Sequence, residues 1–423
     1  MWTPKAMKIA IYGTSRSGKD YLIEKTVEHL QLNGINAIHI KGSETIFNLA
    51  NRKYGRDFKF LDRFEQDDMR EAFINIIAAT SIDYDVTFVD GHYCFPCDDG
   101  FNVVFTDNDR DCYDHFFYLD TPSEIIINRF RSSPREKANY EIIQHQVEEW
   151  KRYEKNKLQI VCDELNKELV ILDDDIESCK KFIESWIQDF DSRYNYAKIT
   201  REIIDTLTHN SSAKTASKAF LLDCDKTIAI NDVTYDFCNE LGIESSTLKQ
   251  IFEGDRYSSY QFHRVRNLYQ SFKAIDIDSA SIEAEKKIKY CCNLLQEIAK
   301  HKGAIVIGIT SGVFDVWNRS IANSQVAQQL YGNQVFSDQK YFVTPLFKKL
   351  FAKSLIEKGF DVTAVGDSII DIPMLELAHN GYVVAHEKTN KAVSHYFHLN
   401  KKTRVKQFSG DKHLYPIKQA KRL

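Results

Sequence analysis

A chain of 423 residues, 43% hydrophobic and 27% charged with a net charge of −4, has the composition of a soluble globular protein and no global basic field to draw it onto nucleic acid. The length exceeds one ordinary core and suits two domains. No run approaches 18 consecutive apolar residues, so no membrane span is expected, and the nine cysteines, mostly in apolar runs, read as reduced buried thiols in a cytoplasmic setting.

The N-terminus, MWTPKAMKIAIYGT, lacks the apolar core of a signal peptide and runs straight into a strand. Five apolar runs follow in the first half: KIAIYG (8–13), AIHIKG (37–42), VTFVDG (86–91), FFYLD (116–120) and LVILD (169–173). Amphipathic stretches such as YLIEKTVEHLQL and EIIQHQVEEWKRYEKNKL separate them. Buried strands alternating with helices predict a parallel sheet covered on both faces. The polar stretch THNSSAKTASK (208–218) reads as a linker, which bounds a first domain at 1–207. The pattern then restarts in AFLLDCD (219–225), AIVIGITSG (304–312), YFVT (341–344), VTAVGD (362–367) and GYVVA (381–385), giving a second domain over 219–423. An insertion at about 229–303 has helical periodicity and no strong strand. The fold class expected is α/β: two doubly wound parallel-sheet (Rossmann-like) domains, the second with a helical cap.

Residues 13–20, GTSRSGKD, follow the first strand and open a helix. A glycine-rich turn there aims backbone N–H groups and the positive helix end at phosphate. Gly13 and Gly18 permit the tight backbone around Ser17, and Lys19 is placed to reach the outer phosphates of a nucleotide. Asp20 stands where the P-loop pattern has a Ser or Thr hydroxyl for Mg²⁺; a carboxylate is also a hard-cation ligand. The string R-S-G-K-D resembles the loop of some phosphate-acceptor kinases, a viral deoxynucleoside-monophosphate kinase among them, which implies ATP and Mg²⁺ as cofactors. FVDGHYCFP (88–96) places Asp90 at a strand end as a candidate acceptor-activating carboxylate, with His92 as an acceptor contact or a structural loop residue. This stretch resembles the archaeal and nuclear branch of adenylate kinases, and so does FFYLDTPSEIIINRFRSSPREK. That resemblance implies a short lid whose Arg129, Arg131 and Arg135 cover the transferring phosphate. PCDDGFNVVFTDNDRDC (96–112) departs from that family and reads as an added acidic hairpin. Lys41, Arg63 and Arg70 are candidate acceptor contacts. Cys94 and Cys97 form a lone CxxC, a weak zinc signal without a second pair.

In the second half LLDCDKT (221–227) ends an apolar strand in D-x-D-x-T, whose two carboxylates would share one side of an extended chain. TSG (310–312), the lysine pair Lys348 and Lys349, and GDSIID (366–371) follow in order. This set resembles the haloacid-dehalogenase phosphatase superfamily over about residues 218–400. The resemblance implies Asp223 as nucleophile and Asp225 as general acid and base. Thr310, or second Ser311 with Gly312, would hold the phosphoryl group, and Lys348, with Lys349 as rival, would neutralise charge. Asp223, Asp225, Asp367 and Asp371 would form the Mg²⁺ site. IFEGDRYSSYQFHRVRNLY (251–269) resembles the cap of phosphoserine phosphatases, which implies substrate contacts from Arg264 and from Asp232, where that family has the longer Glu.

The expected function is therefore bifunctional: an ATP-dependent kinase of a small phosphorylated metabolite or nucleotide joined to a Mg²⁺-dependent phosphomonoester hydrolase. One rival is a phage-type polynucleotide kinase-phosphatase, with nucleic acid held by the basic tail 401–423, which carries eight Lys or Arg and one Asp. The other is a phosphatase gated by a nucleotide-binding domain that does not turn over.

Overall fold

The computed structural model describes residues 6–132, 144–209, 215–253, 257–336, 341–385, 391–401 and 403–409. The chain divides into two compact units, Met1–Gln188 and Asp189–Leu423.

The first unit runs β1 (Met7–Tyr12), α1 (Lys19–Leu32), β2 (Ala37–Ile40), α2 (Gly42–Tyr54), α3 (Arg63–Thr80), β3 (Val86–Gly91), β4 (Cys94–Cys97), β5 (Gly100–Val103), α4 (Asp107–Cys112), β6 (His115–Leu119), α5 (Ser123–Ser132), α6 (Gln144–Leu165), β7 (Leu169–Leu172) and α7 (Ile176–Asp189). Five parallel strands form a sheet in the order β2-β3-β1-β6-β7. The five apolar runs supply them because each strand is covered on both faces; every residue of β6 is buried. β1 lies in the middle, with β3 on one side and β6 on the other, so the chain leaves its C-terminal end at the switch point where doubly wound sheets bind ligands. β4 and β5 pair antiparallel outside this sheet, Cys94 opposite Val103, and make the hairpin. The rest of the acidic stretch is α4, started by a capping box between Thr106 and Asp109.

The second unit contains α8 (Tyr196–His209), β8 (Lys218–Leu222), α9 (Val233–Glu240), α10 (Ser245–Ile251), α11 (Ser259–Gln270), α12 (Ala274–Lys286), α13 (Cys292–Ala299), β9 (Ile305–Val313), α14 (Phe314–Ser324), β10 (Gln329–Asn333), α15 (Pro345–Glu357), β11 (Asp361–Gly366), α16 (Ile372–Leu377), β12 (Asn380–Ala385), α17 (Lys391–Leu399) and β13 (Lys406–Ser409). Its parallel sheet has the order β10-β9-β8-β11-β12-β13, with β8 at the switch point. Helices α9 to α13 form the cap insertion, closed at its base by a bridge between Ala229 and Tyr290.

Two expectations about elements change. α8 falls beyond the division at Gln188, not in the first domain: Tyr196, Ile199, Ile204 and Leu207 join one core with Leu221, Phe347, Phe351 and Val362. YFVT is buried from Phe342 onward but is not a strand; the edge strand is the more polar β10. Asn333, beside a register shift at the end of β10, gives its side-chain N–H to Ser311 O at 2.9 Å and takes Val343 N–H at 2.7 Å. The amide thus supplies the bonds a ladder would have made. Among the described residues no helix is long and apolar enough to cross a membrane. Cys94 is buried and Cys97 exposed, and neither belongs to a described group placed to hold a metal. Residues 210–214 of the expected linker and 410–423 of the basic tail lie outside the described residues.

Candidate active sites

Asp223 is the first residue after the central strand β8, and its own N–H is tied to Val365 O of β11 at 2.9 Å. Thr344 caps α15 by accepting the N–H of Phe347, and Pro345 starts the helix, so Lys348 comes up on the first turn facing the sheet end. Lys348 Nζ lies 2.6 Å from Asp223 Oδ1 and 2.6 Å from Asp371 Oδ1, and all three side chains are buried. Lys349 makes neither bond; it is half-buried on the next position of the helix. The second oxygen of Asp371 accepts from Asp367 N at 3.2 Å, Ser368 N at 3.1 Å and Ser368 Oγ at 2.8 Å.

Carboxylate oxygens of Asp223, Asp367 and Asp371 all lie within 4.8 Å of one another. Burial, with Asp371 beside it and against the pull of Lys348, pushes Asp223 up to about 7. Burial and the charges of Asp223 and Asp371 push Asp367 well above the ordinary carboxylate value. One ammonium among three carboxylates leaves a negative excess that a divalent cation relieves. The donor set is all oxygen, which suits Mg²⁺. Since both oxygens of Asp371 are already engaged, Asp223 and Asp367 are the residues left to face the ion.

Asp225 does not join this group, although it stands only two residues from Asp223. The chain leaves the strand in a tight coil, with Lys226 in the left-handed region at φ 53°. The side chain of Asp225 instead accepts Thr234 Oγ1 at 2.6 Å, Val233 N at 2.9 Å and Trp317 Nε1 at 3.3 Å. Burial, with the charge of Asp232 next, pushes it up to about 6. The expected Mg²⁺ ligand is thus a separately held acid, because the backbone turn breaks the two-residue alternation of a strand. Thr310 is buried, and its Oγ1 accepts Gly312 N–H at 2.9 Å. Ser311 Oγ is already committed to Val343 O at 2.7 Å. A Cβ on Gly312 would collide with Thr234 Oγ1 and Asp225 Oδ2, so only glycine leaves this corner open. Asp232 caps α9 through Tyr235 N at 2.9 Å and pairs with Lys226 at 2.6 Å, so both its oxygens have local partners. Arg264 is half-buried on the cap helix α11.

In the first unit the glycine loop closes over the end of β1. Gly18 caps α1 at φ 100°, and a Cβ there would meet the Arg129 guanidinium at 3.0 Å. Arg129 in turn donates to Arg16 O at 2.8 Å and Ser17 O at 2.7 Å. Lys19 is buried and donates to Gly13 O at 2.6 Å and Thr14 O at 3.2 Å. Burial lowers its proton affinity, opposed by Glu154, Asp90 and Asp20. The buried hydroxyls of Thr14 and Ser17 have no partner in the described structure. Such unsatisfied buried groups at a helix N-terminus, with a lysine beside them, fit the phosphates of a nucleotide. Asp90 accepts Gly42 N at 2.9 Å and His39 Nε2 at 3.1 Å, both on Oδ1. His92 Nε2 lies 3.5 Å from Lys19 Nζ. Asp20 is exposed on the first turn of α1, and Arg131 is exposed at the end of α5. Arg135 lies outside the described residues.

Glu154 had no signal in the sequence, where a glutamate in a charged helix reads as solvated. It is fully buried and accepts Tyr93 N at 3.0 Å, Cys94 N at 3.3 Å and Tyr118 OH at 3.1 Å. Burial pushes it up to about 6 against the charge of Lys19. It therefore anchors the hairpin and balances the loop lysine. Thr234, Trp317 and Asn333 were likewise invisible, being ordinary residues outside any motif.

No family model matches the chain, and no curated protein matches it. Among solved structures, a HAD family hydrolase from Salmonella enterica subsp. enterica serovar Typhi is similar at 17% identity, over 50% of this chain and 76% of its own, with a TM-score of 0.36. A phospho-aspartyl intermediate analogue of phosphoserine phosphatase has 20% identity over 46% of this chain and 95% of its own, with a TM-score of 0.36. Phosphoserine phosphatase in apo form has 16% identity over 45% and 93%, with a TM-score of 0.33. Likeness at these scores carries nothing about function, which rests on the side chains above.

Proposed function

We propose that the second unit is a phosphomonoester hydrolase of the haloacid-dehalogenase type and that the first unit transfers a phosphoryl group from ATP to a small acceptor. The observation that carries the hydrolase reading is Lys348 held at 2.6 Å from both Asp223 and Asp371, with Asp367 grouped beside them at the sheet's switch point.

In this reading Asp223 attacks phosphorus, and a carboxylate O–P bond forms as the ester P–O bond breaks. Asp225 gives its proton to the departing alcohol oxygen. Water then attacks the aspartyl-phosphate, Asp225 takes back a proton, and Asp223 is freed as inorganic phosphate leaves. The Thr310 hydroxyl, whose oxygen already accepts the Gly312 N–H, donates its proton to a phosphoryl oxygen, and Lys348 offsets the charge. Mg²⁺ held by Asp223 and Asp367 would supply the positive charge that lets an anionic ester approach an anionic nucleophile. The helical cap favours a small phosphomonoester. Both oxygens of Asp232 are engaged locally, so nothing at that position favours phosphoserine over other esters.

Phosphate release from nucleotides, phosphoserine, sugar phosphates and p-nitrophenyl phosphate, with and without Mg²⁺, tests the hydrolase. Asp223→Asn is expected to abolish release in every case, and undiminished turnover by that variant would sink the proposal. For the first unit, the unpartnered Thr14 and Ser17 hydroxyls beside Lys19 favour binding of a nucleotide's phosphates. Lys19→Ala is expected to remove ATP binding, followed by titration with a fluorescent ATP analogue.

A further inference from the structure

We infer that the phosphoryl acceptor of the first unit is an uncharged, ring-bearing alcohol of nucleoside size, bound in a cavity beside the glycine loop; this rests on the kinase reading above. The cavity has a volume of about 320 Å³ and lies between α2, α3, the end of β3 and the hairpin. That is the small end of the range for ligand pockets. Six Phe and Tyr rings line it: Tyr12, Phe47, Phe58, Phe73, Phe95 and Tyr113. A flat apolar ring gains both burial and stacking against such walls.

The charged groups argue against a phosphate on the acceptor. Asp57, Asp90 and Asp109 line the cavity, against two cations, Lys59 and Arg70. Each cation already has a carboxylate: Arg70 pairs with Asp67 at 2.7 Å and lies over the Phe58 ring at 5.3 Å, and Lys59 pairs with Asp57 at 3.5 Å. Of the other cations considered from the sequence, Lys41 pairs with Glu24 at 2.8 Å, and neither Lys41 nor Arg63 lines the cavity. A dianionic ester would enter a space with more carboxylate than cation. Hydroxyls and ring or exocyclic N–H groups, by contrast, find acceptors in the carboxylates. They also find His92 Nδ1, a buried nitrogen with no partner in the described structure.

Geometry joins the cavity to the phosphate loop. His92 lines it and lies 3.5 Å from Lys19 Nζ, and Asp90 at its wall has Oδ2 clear of the bonds that hold Oδ1. In the step proposed, Asp90 takes the proton of the acceptor hydroxyl. The oxygen forms a bond to the γ-phosphorus of ATP, and the bond from that phosphorus to the bridging oxygen breaks to release ADP. The hairpin that the sequence offered without a role then acquires one: Phe95 on it and Val104 just past it line the acceptor site.

The test uses the full chain with ATP and Mg²⁺ and reads ADP release, which hydrolysis of the product by the second unit does not disturb. Adenosine, guanosine, cytidine, uridine and thymidine are each compared with their 5′-phosphonate analogues, which contain no ester for the second unit to cleave. The expected result is ADP release above the acceptor-free rate with at least one nucleoside and with none of the phosphonates. Asp90→Asn should lower that rise by about a hundredfold or more. A rise with phosphonates alone, or with no nucleoside, in a chain that binds ATP through Lys19 overturns the inference and leaves the kinase reading standing. ATP binding that is absent, or unchanged in Lys19→Ala, overturns the kinase reading and this inference together.

Discussion

Asp223, buried, and Asp367, half-buried, are acids whose folded forms hold protons more tightly than an unfolded chain would. An unfolded aspartate ionises at about 3.9, so between there and about 7 the native chain binds the extra proton on Asp223. Stability without a divalent cation therefore falls as pH rises through that window and reaches its floor above it. Mg²⁺ opposes the same repulsion, so the rise in Tm on adding Mg²⁺ is expected to be larger at about pH 8 than at about pH 5 by thermal unfolding. An equal rise at both would remove the ion from this cluster. Lys348 adds a second residue-level prediction. Lys348→Met leaves two buried carboxylates without their cation and is expected to cost about 3–5 kcal/mol above neutral pH by denaturant titration. The same variant should lose about a hundredfold or more in hydrolysis. Gly312→Ala should keep the fold but impair turnover, because its methyl displaces the Asp225 carboxylate; unaltered kcat would show that Asp225 has no part in the reaction. Residues at strand ends were legible because a carboxylate or lysine after an apolar run has no packing reason to be there. Glu154 was not, since only the folded chain shows that its carboxylate is turned inward to two backbone N–H groups and a tyrosine hydroxyl.

At the scale of elements, what decided legibility was how many faces a strand buries. β1, β3, β6 and β8 sit inside their sheets and read as mostly apolar runs. β10 and β13 are edge strands, QLYGN and KQFS, and polar residues suit an edge that one neighbour alone covers. YFVT misled in the opposite direction: Phe342, Val343 and Thr344 are buried, but Asn333 and Ser311 take the backbone bonds of Val343. The linker read at 208–218 set a boundary without saying which core the apolar stripe of α8 would join. That stripe commits four large side chains to the second unit, worth about 1.5–3 kcal/mol each on burial. A fragment of residues 189–423 is expected to be soluble and to hydrolyse phosphomonoesters. One starting at 208, where the sequence suggested a boundary, should unfold at much lower denaturant or aggregate. Equal stability of the two fragments would contradict the assignment of α8.

For the whole molecule, the two units repeat one design: a central strand that delivers a reactive loop at the point where the sheet order turns back. The first 188 residues alone are expected to bind ATP with the affinity of the full chain, measured by titration of the separate fragment. In the second unit the order of synthesis works against this design. Asp223 emerges from the ribosome early, but Lys348, its bonded partner, follows 125 residues later, and Asp371 later still. Contacts so distant along the chain fold slowly. A nascent chain halted before α15 would expose an apolar central strand ending in an acid without its lysine, a target for chaperones rather than a partial enzyme.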